Sequence, residues 1–306
     1  MNTIVVFGAS GYLGRALCLS LSQFYQVYAI TRVPVSLSGV INIVAETFST
    51  QSVINIISSV EPDCVISCIG LAHRSGIHIS NYLHVNSEIN LNIYLVCQNC
   101  GVQQFIYISS ASVYADIADP SHSVDFSEES PLRATEPYGL SKLIAETNLL
   151  KLSTKKSFTR LLILRPPAIY GHRCPGSFST LRKFINYKVP LPQPSPSASR
   201  SFLSVSNFSL YIKHFIDTQQ CGVFNIADPD LLTLLETFQL VATSMAKPIH
   251  FLPINLSLKL LGLNKKVESM MSSFILNTDS SLKLLPPQAL YPSRLAIINA
   301  FASEVK

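Results

Sequence analysis

Residues 3–15, "TIVVFGASGYLGR", join an apolar run of strand character to a helical pattern through a glycine-rich turn. The glycines Gly8, Gly11 and Gly14 are spaced GxxGxxG across that turn. The first permits a tight turn, the second lets backbone N–H groups approach a pyrophosphate, and the third allows close packing of helix on strand. The N-terminus of the helix then faces the anion. This pattern predicts the first strand and helix of a nucleotide-binding sheet.

The same alternation of apolar runs and helical patterns continues as far as Gly171. Strands of continuous apolar character that alternate with helices are typical of parallel sheets covered on both faces. The pattern therefore predicts a doubly wound α/β fold, with right-handed crossovers. Further strands are expected at "QVYAITR" (26–32), "GVINIVAE" (39–46), "DCVISCIG" (63–70), "FIYISS" (105–110) and "RLLILRPPAIYG" (160–171), the last ended by its prolines. Helices are expected at "YLGRALCLSLSQF" (12–24), "TQSVINIISSV" (50–60), "NSEINLNIYLVCQNCG" (86–101) and "EPYGLSKLIAETNLLKL" (136–152).

Beyond Gly171 proline and serine become frequent, and no regular sheet unit is expected in residues 173–205. The portion "PQPSPSASR", residues 192–200, predicts a mobile surface loop. A helix at "SNFSLYIKHFIDT" and a strand at "GVFNIAD" follow, and then helical stretches interrupted by prolines. We expect a dinucleotide-binding domain and a smaller, irregular C-terminal lobe that binds substrate. The predicted bounds are 1–170 with a returning segment at about 199–226 for the first, and 171–198 with 227–306 for the second.

Composition narrows the function classes. Apolar residues make up 48% of the 306 residues and charged residues 13%, as in a globular protein. The net charge of +5 comes with no basic run, so we expect an anionic small molecule as partner rather than nucleic acid. No uninterrupted apolar stretch reaches 18 residues and no signal peptide is recognised, so a cytoplasmic protein without integral membrane contact is expected. The seven scattered cysteines predict mostly buried free thiols and no metal site, since Cys97 and Cys100 lack a second pair.

A possible reaction centre lies between "ISSAS" and "EPYGLSK". Ser110 follows the fifth strand at the carboxyl edge of the sheet, where doubly wound folds bind ligands. Tyr138 and Lys142 lie one helical turn apart on one face. A phenol with a pKa near ~10 is a poor base at neutral pH, and a neighbouring ammonium brings that pKa toward the working range. A serine hydroxyl can hold the substrate oxygen, so the three residues predict acid–base chemistry on an alcohol or ketone.

The marks "GASGYLG", "SSASVY", "YGLSK" and "LRPPAIYG", in this order and spacing, resemble the extended short-chain dehydrogenase/reductase family, which acts largely on sugar nucleotides. The resemblance implies a Rossmann fold and a catalytic trio of Ser110, Tyr138 and Lys142. It also implies that the lysine binds the nicotinamide ribose. Asn86 matches a family asparagine that supports the site, although it could equally begin a helix. Cofactor contacts are expected from Gly8, Ser10, Gly11, Tyr12, Leu13, Gly14, Arg32 and Lys142.

The end of the second strand bears on the choice of cofactor. Sites for NAD usually place an acidic residue there to accept the ribose 2′-hydroxyl. The chain has Thr31 followed by Arg32. Because an arginine can neutralise a 2′-phosphate, NADP is favoured over NAD. An arginine that only covers the adenine would suit either cofactor.

The residues after the catalytic serine discriminate among the reactions of the family. Dehydratases carry Asp-Glu where this chain has Ala111 and Ser112, and reductases that also epimerise by deprotonation carry cysteine in the second position. Reduction of a nucleotide-linked 4-keto hexose and 4-epimerisation remain. The C-terminal half resembles reductases that make UDP-N-acetyl-quinovosamine-type 6-deoxy sugars, for surface polysaccharides, so reduction is the first expectation. A UDP-hexose or UDP-N-acetylhexosamine 4-epimerase is the alternative.

Two residues of the second half are candidate contacts for a sugar nucleotide, expected to be UDP-linked. Arg200, in "RSFLSV", matches a family arginine on the diphosphate, although a solvated arginine in a serine-rich loop is the other interpretation. His172, with Arg173 beside it, could touch the substrate. Two other function classes stay open: a non-catalytic redox sensor of the same fold, and a protein that lies on a membrane through residues 256–276. A homodimer formed through a helix pair is also possible.

Overall fold

The computed structural model describes residues 1–72, 76–114, 125–153, 158–253 and 272–302. A seven-stranded sheet has the order β7–β6–β5–β4–β1–β2–β3, and the five pairings from β6 through β3 are parallel. Strand order reverses direction between β1 and β4, as in doubly wound sheets. The predicted doubly wound α/β fold is confirmed. Its strands are β1 (Thr3–Phe7), β2 (Gln26–Thr31), β3 (Val40–Val44), β4 (Cys64–Ser67), β5 (Gln104–Ile108), β6 (Arg160–Arg165) and β7 (Gly222–Asn225).

The helices between these strands bury their apolar faces against the sheet. One core joins strand residues such as Val5, Val65 and Phe105 with helix residues such as Ile93 and Leu149. Burying each large apolar side chain contributes roughly 1.5–3 kcal/mol, so this core holds the carboxyl ends of the strands in place. The described helices are α1 (Tyr12–Leu21), α2 (Thr50–Val60), α3 (Ile79–Leu83), α4 (Ile89–Asn99), α5 (Pro137–Leu152), α6 (Ser177–Asn186), α7 (Val205–Asp217), α8 (Leu234–Ser244), α9 (Asp279–Leu282) and α10 (Ser293–Ala302).

The helix expected from residue 86 begins earlier. It starts with α3 at Ile79, where the His78 side chain accepts a hydrogen bond from the Ser80 backbone N–H. A π-helical turn, His84–Glu88, then connects α3 to α4 without a break. Asn86 therefore lies inside a continuous helical segment, and the interpretation that it begins a helix is wrong. Such wide turns occur frequently at functional sites.

The chain divides into two compact units. The first consists of Met1–Val113, Leu132–Arg165 and Tyr211–Phe224, and the second of Tyr114–Pro131, Pro166–Leu210 and Asn225–Lys306. These bounds differ from the predicted domains mainly in the segment after Val113 and in the later start of the returning segment.

Contacts of single residues explain both differences. In the second unit, the ring of Tyr114 stacks on Phe126 with centroids 5.2 Å apart, and its hydroxyl donates to the Asn225 Oδ1 at 2.7 Å. In the first unit, the buried Gln104 side chain donates to the backbone oxygens of Phe215 and Gln220 at 3.1 and 2.8 Å. The returning segment is thereby joined to β5.

Short strand pairs replace a regular sheet in the second unit, as its proline and serine content predicts. A buried network around Asp228 fixes part of it. The Asp228 carboxylate accepts hydrogen bonds from the Tyr170 hydroxyl at 2.5 Å, the Ser204 N–H at 2.9 Å and the Asn207 side chain at 2.7 Å. The pairs are Ala168–Tyr170 with Phe202–Ser204, Leu191–Pro192 with Phe251–Leu252, Ser199–Arg200 with Leu232–Thr233, and Asp125–Phe126 with Ile275–Leu276.

The strand expected in residues 160–171 ends at its prolines, as predicted: β6 stops at Arg165, because Pro166 and Pro167 lack the N–H that a ladder needs. The expectation of a mobile loop over residues 192–200 is wrong at its end. The end of the expected loop 192–200 is tied down: the Ser199 N–H donates to the Ser273 Oγ at 3.0 Å, and the Ser199 oxygen accepts from the Phe274 N–H at 2.9 Å.

No described helix is long and apolar enough to span a bilayer. Most of the segment 256–276, the candidate for a membrane surface, lies outside the described residues. Among the residues that the structure covers, no cluster of His, Cys, Asp or Glu could hold a metal ion. Of the seven free cysteines, Cys100 and Cys221 are exposed and the other five are buried or partly buried, which agrees with the expectation of mostly buried thiols.

Candidate active site

The glycine turn after β1 has no room for side chains. Gly8 has φ +77°, and a Cβ there would lie 2.8 Å from the Cys68 carbonyl carbon, just beyond β4. A Cβ on Gly14 would lie 2.4 Å from the Gly8 oxygen. Gly11 begins α1 without a side-chain cap, and the first turn contains no acidic residue. A helix N-terminus of this kind, next to the point where strand order reverses, fits the pyrophosphate of a dinucleotide.

The other predicted cofactor residues surround this turn in the first unit. Ser10 is exposed, and Tyr12 and Leu13 are partly buried on the first turn of α1. At the end of β2, the Thr31 hydroxyl is buried and accepts a hydrogen bond from the Asn42 side chain at 2.8 Å. Arg32 is exposed. The Thr31 hydroxyl therefore has a hydrogen-bond partner within the fold. The Arg32 side chain at the end of β2 is exposed to solvent.

Ser110 and Tyr138 meet at the carboxyl end of β5, as predicted. Their hydroxyl groups form a hydrogen bond. Pro137 starts α5, where its missing N–H costs no hydrogen bond. Gly139 lets this helix approach closely, because a Cβ there would lie 2.5 Å from the Ser112 backbone oxygen. The glycine in "YGLSK" therefore allows the first turn of α5, which carries Tyr138, to pack directly on the loop that contains Ser110 and Ser112.

Burial raises the pKa of the Tyr138 phenol, and the hydrogen bond with Ser110 opposes that rise. The ring of Tyr82 packs edge-on against Tyr138, with centroids 6.3 Å apart. The expectation that Lys142 brings this pKa down is not met in the protein alone. A phenol with a raised pKa is protonated at neutral pH, so the ligand-free protein presents Tyr138 as an acid.

Lys142 is 4% exposed and lies inside the first unit. Its Nζ donates to the Ile108 backbone oxygen at 2.8 Å and lies 4.7 Å from the centroid of the Tyr107 ring. Burial lowers the pKa of this amine to about 8, while Cys68 and Glu146 oppose the change. The amine therefore stays mostly charged at neutral pH, with a smaller margin than an exposed lysine.

Asn86 connects the loop after β4 with α5. Its Oδ1 accepts from the Leu71 N–H at 2.7 Å, and its Nδ2 donates to the Ser141 Oγ at 2.9 Å. The Ser141 hydroxyl in turn donates to the Tyr138 backbone oxygen at 2.7 Å. The asparagine that the family resemblance singled out therefore supports the helix that carries the tyrosine and the lysine.

Sequence reasoning missed a buried ion pair beside the lysine. Arg165 Nη2 lies 2.6 Å from Glu146 Oε2, and the two side chains are 4% and 1% exposed. Glu146 lies four residues after Lys142 on the inner face of α5, and Arg165 ends β6. The signal was a single charged residue inside one apolar pattern and another at the end of a second: Glu146 within "LIAETNLL" and Arg165 after "LLIL". Charged residues in such positions are buried only when they are paired.

The predicted substrate residues belong to the second unit. Arg200 is partly buried, and burial lowers the pKa of its guanidinium to about 10. The interpretation of Arg200 as a solvated side chain is therefore wrong. Tyr170, Asp228 and Asp230 line the same small cavity as Arg200. His172 is exposed on the segment that follows Tyr170.

Comparisons with known proteins agree with this geometry. The model of the NAD dependent epimerase/dehydratase family matches residues 4–227. A UDP-glucose 4-epimerase of Vibrio cholerae is 28% identical over 241 residues, which are 74% of this chain and 73% of that protein. An N-acetyl-alpha-D-glucosaminyl-diphospho-ditrans,octacis-undecaprenol 4-epimerase of Escherichia coli O157:H7 is 24% identical over 265 residues, 85% of this chain and 78% of that one.

A solved structure adds support for the fold. The UDP-glucuronic acid 4-epimerase from Bacillus cereus, in complex with NAD, aligns with a TM-score of 0.76 over 99% of this chain and 98% of its own. The identity is 19%, so this likeness concerns the fold alone. The preference for NADP gains no support from these proteins.

The names of the relatives also help to distinguish between the two candidate reactions. Both curated relatives are 4-epimerases by name, so they favour the alternative of 4-epimerisation over the first expectation of 4-keto reduction. The prediction of an NAD(P)-dependent sugar-nucleotide oxidoreductase or 4-epimerase and the resemblance to the extended short-chain dehydrogenase/reductases are confirmed. Because the family model covers well over half of the 306 residues, the chain belongs to the NAD-dependent epimerase/dehydratase family.

Proposed function

We propose that this protein is an NAD-dependent 4-epimerase of a hexose linked to a uridine diphosphate. The observation that carries the proposal is the hydrogen bond between Ser110 and Tyr138, one helical turn from the buried Lys142. These groups can move a proton on and off a secondary alcohol. The names of the two curated relatives support the choice of epimerisation and of a hexose bound through a diphosphate.

The residues of the first unit fit a nicotinamide dinucleotide. We assign the pyrophosphate to the turn of Gly8, Gly11 and Gly14, the ribose next to the nicotinamide to Lys142, and the adenosine end to Arg32. When bound, the dinucleotide supplies a hydride acceptor that can also return the hydride. NAD is proposed as the cofactor, and a comparison of the dissociation constants of NAD⁺ and NADP⁺ tests this choice.

Tyr138 acts in both directions of such a reaction. In the oxidation it accepts the proton of the sugar hydroxyl, and in the reduction it returns that proton to the ketone oxygen. Ser110 holds the same oxygen with its hydroxyl. The charge of Lys142 stabilises the phenolate during the interval between the two steps. The raised pKa of Tyr138 in the free protein suits the proton-donating step, and the base form then depends on added positive charge.

The environment of Ser110 argues against elimination of water. Ala111 and Ser112 follow the serine, and neither can act as the extra acid or base that a dehydratase needs. The same residues are compatible with simple 4-keto reduction. Reduction and epimerisation differ in net redox change, because only reduction consumes the reduced cofactor.

For the substrate we propose Arg200 as the ligand of the diphosphate and His172 as a contact of the sugar nucleotide. Support for Arg200 comes from its place in the second unit, where its guanidinium is partly withdrawn from water at the small cavity that Tyr170 also lines. His172 rests only on its place in the sequence beside Tyr170.

The proposal is tested by incubating the purified protein and NAD⁺ separately with UDP-glucose, UDP-galactose, UDP-N-acetylglucosamine and UDP-N-acetylgalactosamine. Proton NMR of the sugar should show one 4-epimer converting into the other, with no lasting increase in reduced cofactor. Tyr138→Phe is the matched inactive control. Stoichiometric oxidation of the reduced cofactor by a UDP-linked 4-keto-6-deoxyhexose, without epimerisation of any of the four sugars, would replace this proposal by 4-keto reduction.

A further inference from the structure

The ammonium group of Lys142 lies where little water reaches it. The side chain is 4% exposed, and an ammonium has three hydrogen-bond donors. One of these donors meets the Ile108 backbone oxygen at 2.8 Å. Burial of a charge is costly, and the amine loses its proton readily unless neighbouring groups stabilise the charged form. Other groups around Nζ must therefore stabilise this charge.

The carboxylate one turn further along α5 is already paired. Arg165 Nε donates to both oxygens of Glu146 at 3.1 Å, and Arg165 Nη2 donates to Oε2 at 2.6 Å. In the part of the chain that the structure describes, no carboxylate forms an ion pair with Lys142. The Cys68 thiol also acts on Lys142, but burial raises its pKa to about 12, so the thiol is uncharged at neutral pH. Neither group supplies a full counter-charge.

An aromatic ring lies against the ammonium instead. Lys142 Nζ is placed over the ring of Tyr107, 4.7 Å from its centroid. The face of an aromatic ring carries partial negative charge, and it attracts a cation within about 6 Å of the centroid. The attraction is strongest where water is excluded, and Tyr107 is fully buried. The ring therefore stabilises the ammonium relative to the neutral amine.

The hydroxyl of Tyr107 fixes the ring in this place. It donates to the Asn86 backbone oxygen at 2.9 Å, inside the π-helical turn His84–Glu88. Burial raises the pKa of the Tyr107 phenol well above its usual value, so the donor keeps its proton. The Tyr107 backbone belongs to β5, which is paired with β4 on one side and β6 on the other. The ring is thus held at both of its ends.

We propose that Tyr107 is a positioning residue, whose ring face holds the Lys142 ammonium in its charged form and in a fixed place. This rests on the function proposed above, in which Lys142 binds the ribose and stabilises the phenolate. Both tasks need a positive charge and N–H groups that can still donate. A carboxylate partner would cancel the charge and occupy N–H groups, whereas a ring face does neither. Tyr107 thus acts on the reaction through Lys142.

The other titratable groups near this contact are known. Cys68 lies just beyond β4, and Glu146 and Tyr138 lie on α5; each acts electrostatically on Lys142 or on Tyr107. A replacement of Tyr107 that preserves the volume of the ring leaves all three in place. A change in the pKa of Lys142 then reports on the ring face.

The test weakens the ring face at nearly constant size. Tyr107 is replaced by phenylalanine and by phenylalanines with one, two or three fluorine atoms, which withdraw negative charge from the ring face. Carbon NMR of protein labelled with ¹³C at the lysine Cε follows the Lys142 pKa, and the Lys142 resonance is the one that Lys142→Met removes. Tyr107→Phe keeps the ring and should leave this pKa close to the wild-type value. The fluorinated rings should lower it stepwise, by about 0.5–1.5 in total.

Fluorinated phenylalanine at Phe105 is the matched control. Phe105 is buried on the same face of β5, and its ring packs on Tyr94 with centroids 5.3 Å apart. Fluorine at this position should leave the Lys142 pKa unchanged. A second measurement follows the dissociation constant of NAD⁺ against pH. The pH at which affinity is lost should fall together with the Lys142 pKa in the series at position 107.

Three results would overturn the proposal. The first is a Lys142 pKa that does not follow the number of fluorine atoms, and the second is an equal fall with fluorinated Phe105. The third is an NAD⁺ affinity whose pH dependence stays unchanged while the Lys142 pKa falls. The titration itself needs neither sugar nor dinucleotide. Failure to find epimerisation would consequently defeat the proposed function and leave the contact between Tyr107 and Lys142 standing.

Discussion

Tyr138 is partly buried and Lys142 is buried, and the loss of water is the largest cause of the pKa change of each. Burial disfavours the charged form of each, so the phenol pKa rises and the ammonium pKa falls to about 8. The two proton affinities therefore move apart, and Tyr138 holds its proton more tightly than Lys142 does. Tyr138 can act as a base near neutral pH once a bound cation stabilises the phenolate.

Removal of single groups should separate their roles. Tyr138→Phe removes the proton donor and keeps the ring that packs on Tyr82, so folding and dinucleotide binding should survive. We expect kcat to fall by about 10²–10⁴-fold, measured on the verified substrate. Lys142→Met should lower both kcat and NAD⁺ affinity, and Ser110→Ala should be the mildest of the three. Near-normal turnover by Tyr138→Phe would contradict the mechanism.

Arg200 provides the corresponding prediction for the second unit. If its guanidinium binds the diphosphate, Arg200→Ala should raise the substrate KM by about 10- to 100-fold, since a charge-assisted contact contributes roughly 1.5–3 kcal/mol. NAD⁺ affinity, measured by calorimetry, should change little. Lys183→Ala, which removes an exposed cation of the same unit, is the matched control. Equal KM values for the two variants would remove the diphosphate role.

Two glycines of the turn after β1 should affect different properties when they are replaced by alanine: Gly14 the stability of the fold and Gly11 the binding of the dinucleotide. A Cβ at Gly14 would meet the Gly8 oxygen at 2.4 Å inside the fold, whereas a Cβ at Gly11 would lie 3.3 Å from the same oxygen on an exposed position. Gly14→Ala should therefore lower the melting temperature, at a cost of roughly 1–3 kcal/mol. Gly11→Ala should keep the melting temperature and weaken NAD⁺ binding. The reverse pattern would show that the turn is not packed as described.

Helix α8 begins with a capping box that makes its stability depend on pH. Glu236 accepts hydrogen bonds from the Thr233 N–H at 3.0 Å and from Arg294 at 2.8 Å, and the Thr233 hydroxyl accepts from the Glu236 N–H. Hydrogen bonds from the Thr233 backbone and hydroxyl, and then from Arg294, hold the pKa of Glu236 below its usual 4.5. A lowered pKa in the folded state stabilises the protein above the usual value, and this contribution is lost as the pH falls through the folded value.

Glu236→Gln keeps an acceptor and removes the charge. At pH 7 its melting temperature should be lower than that of the wild type by about 1–2 °C, because partly exposed ion pairs contribute little. The difference should shrink as the pH falls from the usual 4.5 through the lower pKa of the folded carboxylate, where the wild-type group takes up its proton. Melting curves measured from pH 7 downward follow this change. A difference that persists in acid would assign the effect to hydrogen-bond geometry instead of charge.

Element by element, the sequence predicted well where one local pattern dominates. The seven strands and the helices α2 and α5 follow from apolar runs bounded by turn residues. The π-helical turn at His84–Glu88 was missed, because nothing in "HVNSE" distinguishes a wide turn from an ordinary one. Residues 192–200 resemble a free loop by composition, and their hydrogen bonds to Ser273 and Phe274 come from a segment more than seventy residues away.

At the scale of the whole molecule, the sequence did not predict those properties of the site that depend on contacts between residues far apart in the chain. The trio Ser110, Tyr138 and Lys142 was predicted from motif spacing, residue chemistry and family resemblance, and its catalytic role stays a prediction. The raised pKa of Tyr138 and the Glu146–Arg165 pair depend on burial, which spacing does not report. The choice between reduction and epimerisation depended on weak likeness in the irregular half of the chain. The curated relatives shifted that choice to epimerisation.

The first unit is assembled from three separated pieces of chain, and this has a consequence for its synthesis. Residues 211–224 supply β7 beside β6 and the carbonyls that hold Gln104, yet the ribosome makes Pro166–Leu210 before them. At about 5–20 residues per second, several seconds pass between the synthesis of β6 and that of β7. During this time the β6 edge of the nascent sheet has no partner strand. An open strand edge attracts other chains. Stalled nascent chains exposing residues 1–170 should therefore be degraded faster by added protease than those exposing residues 1–226, and equal lifetimes would show that the sheet closes without its last strand.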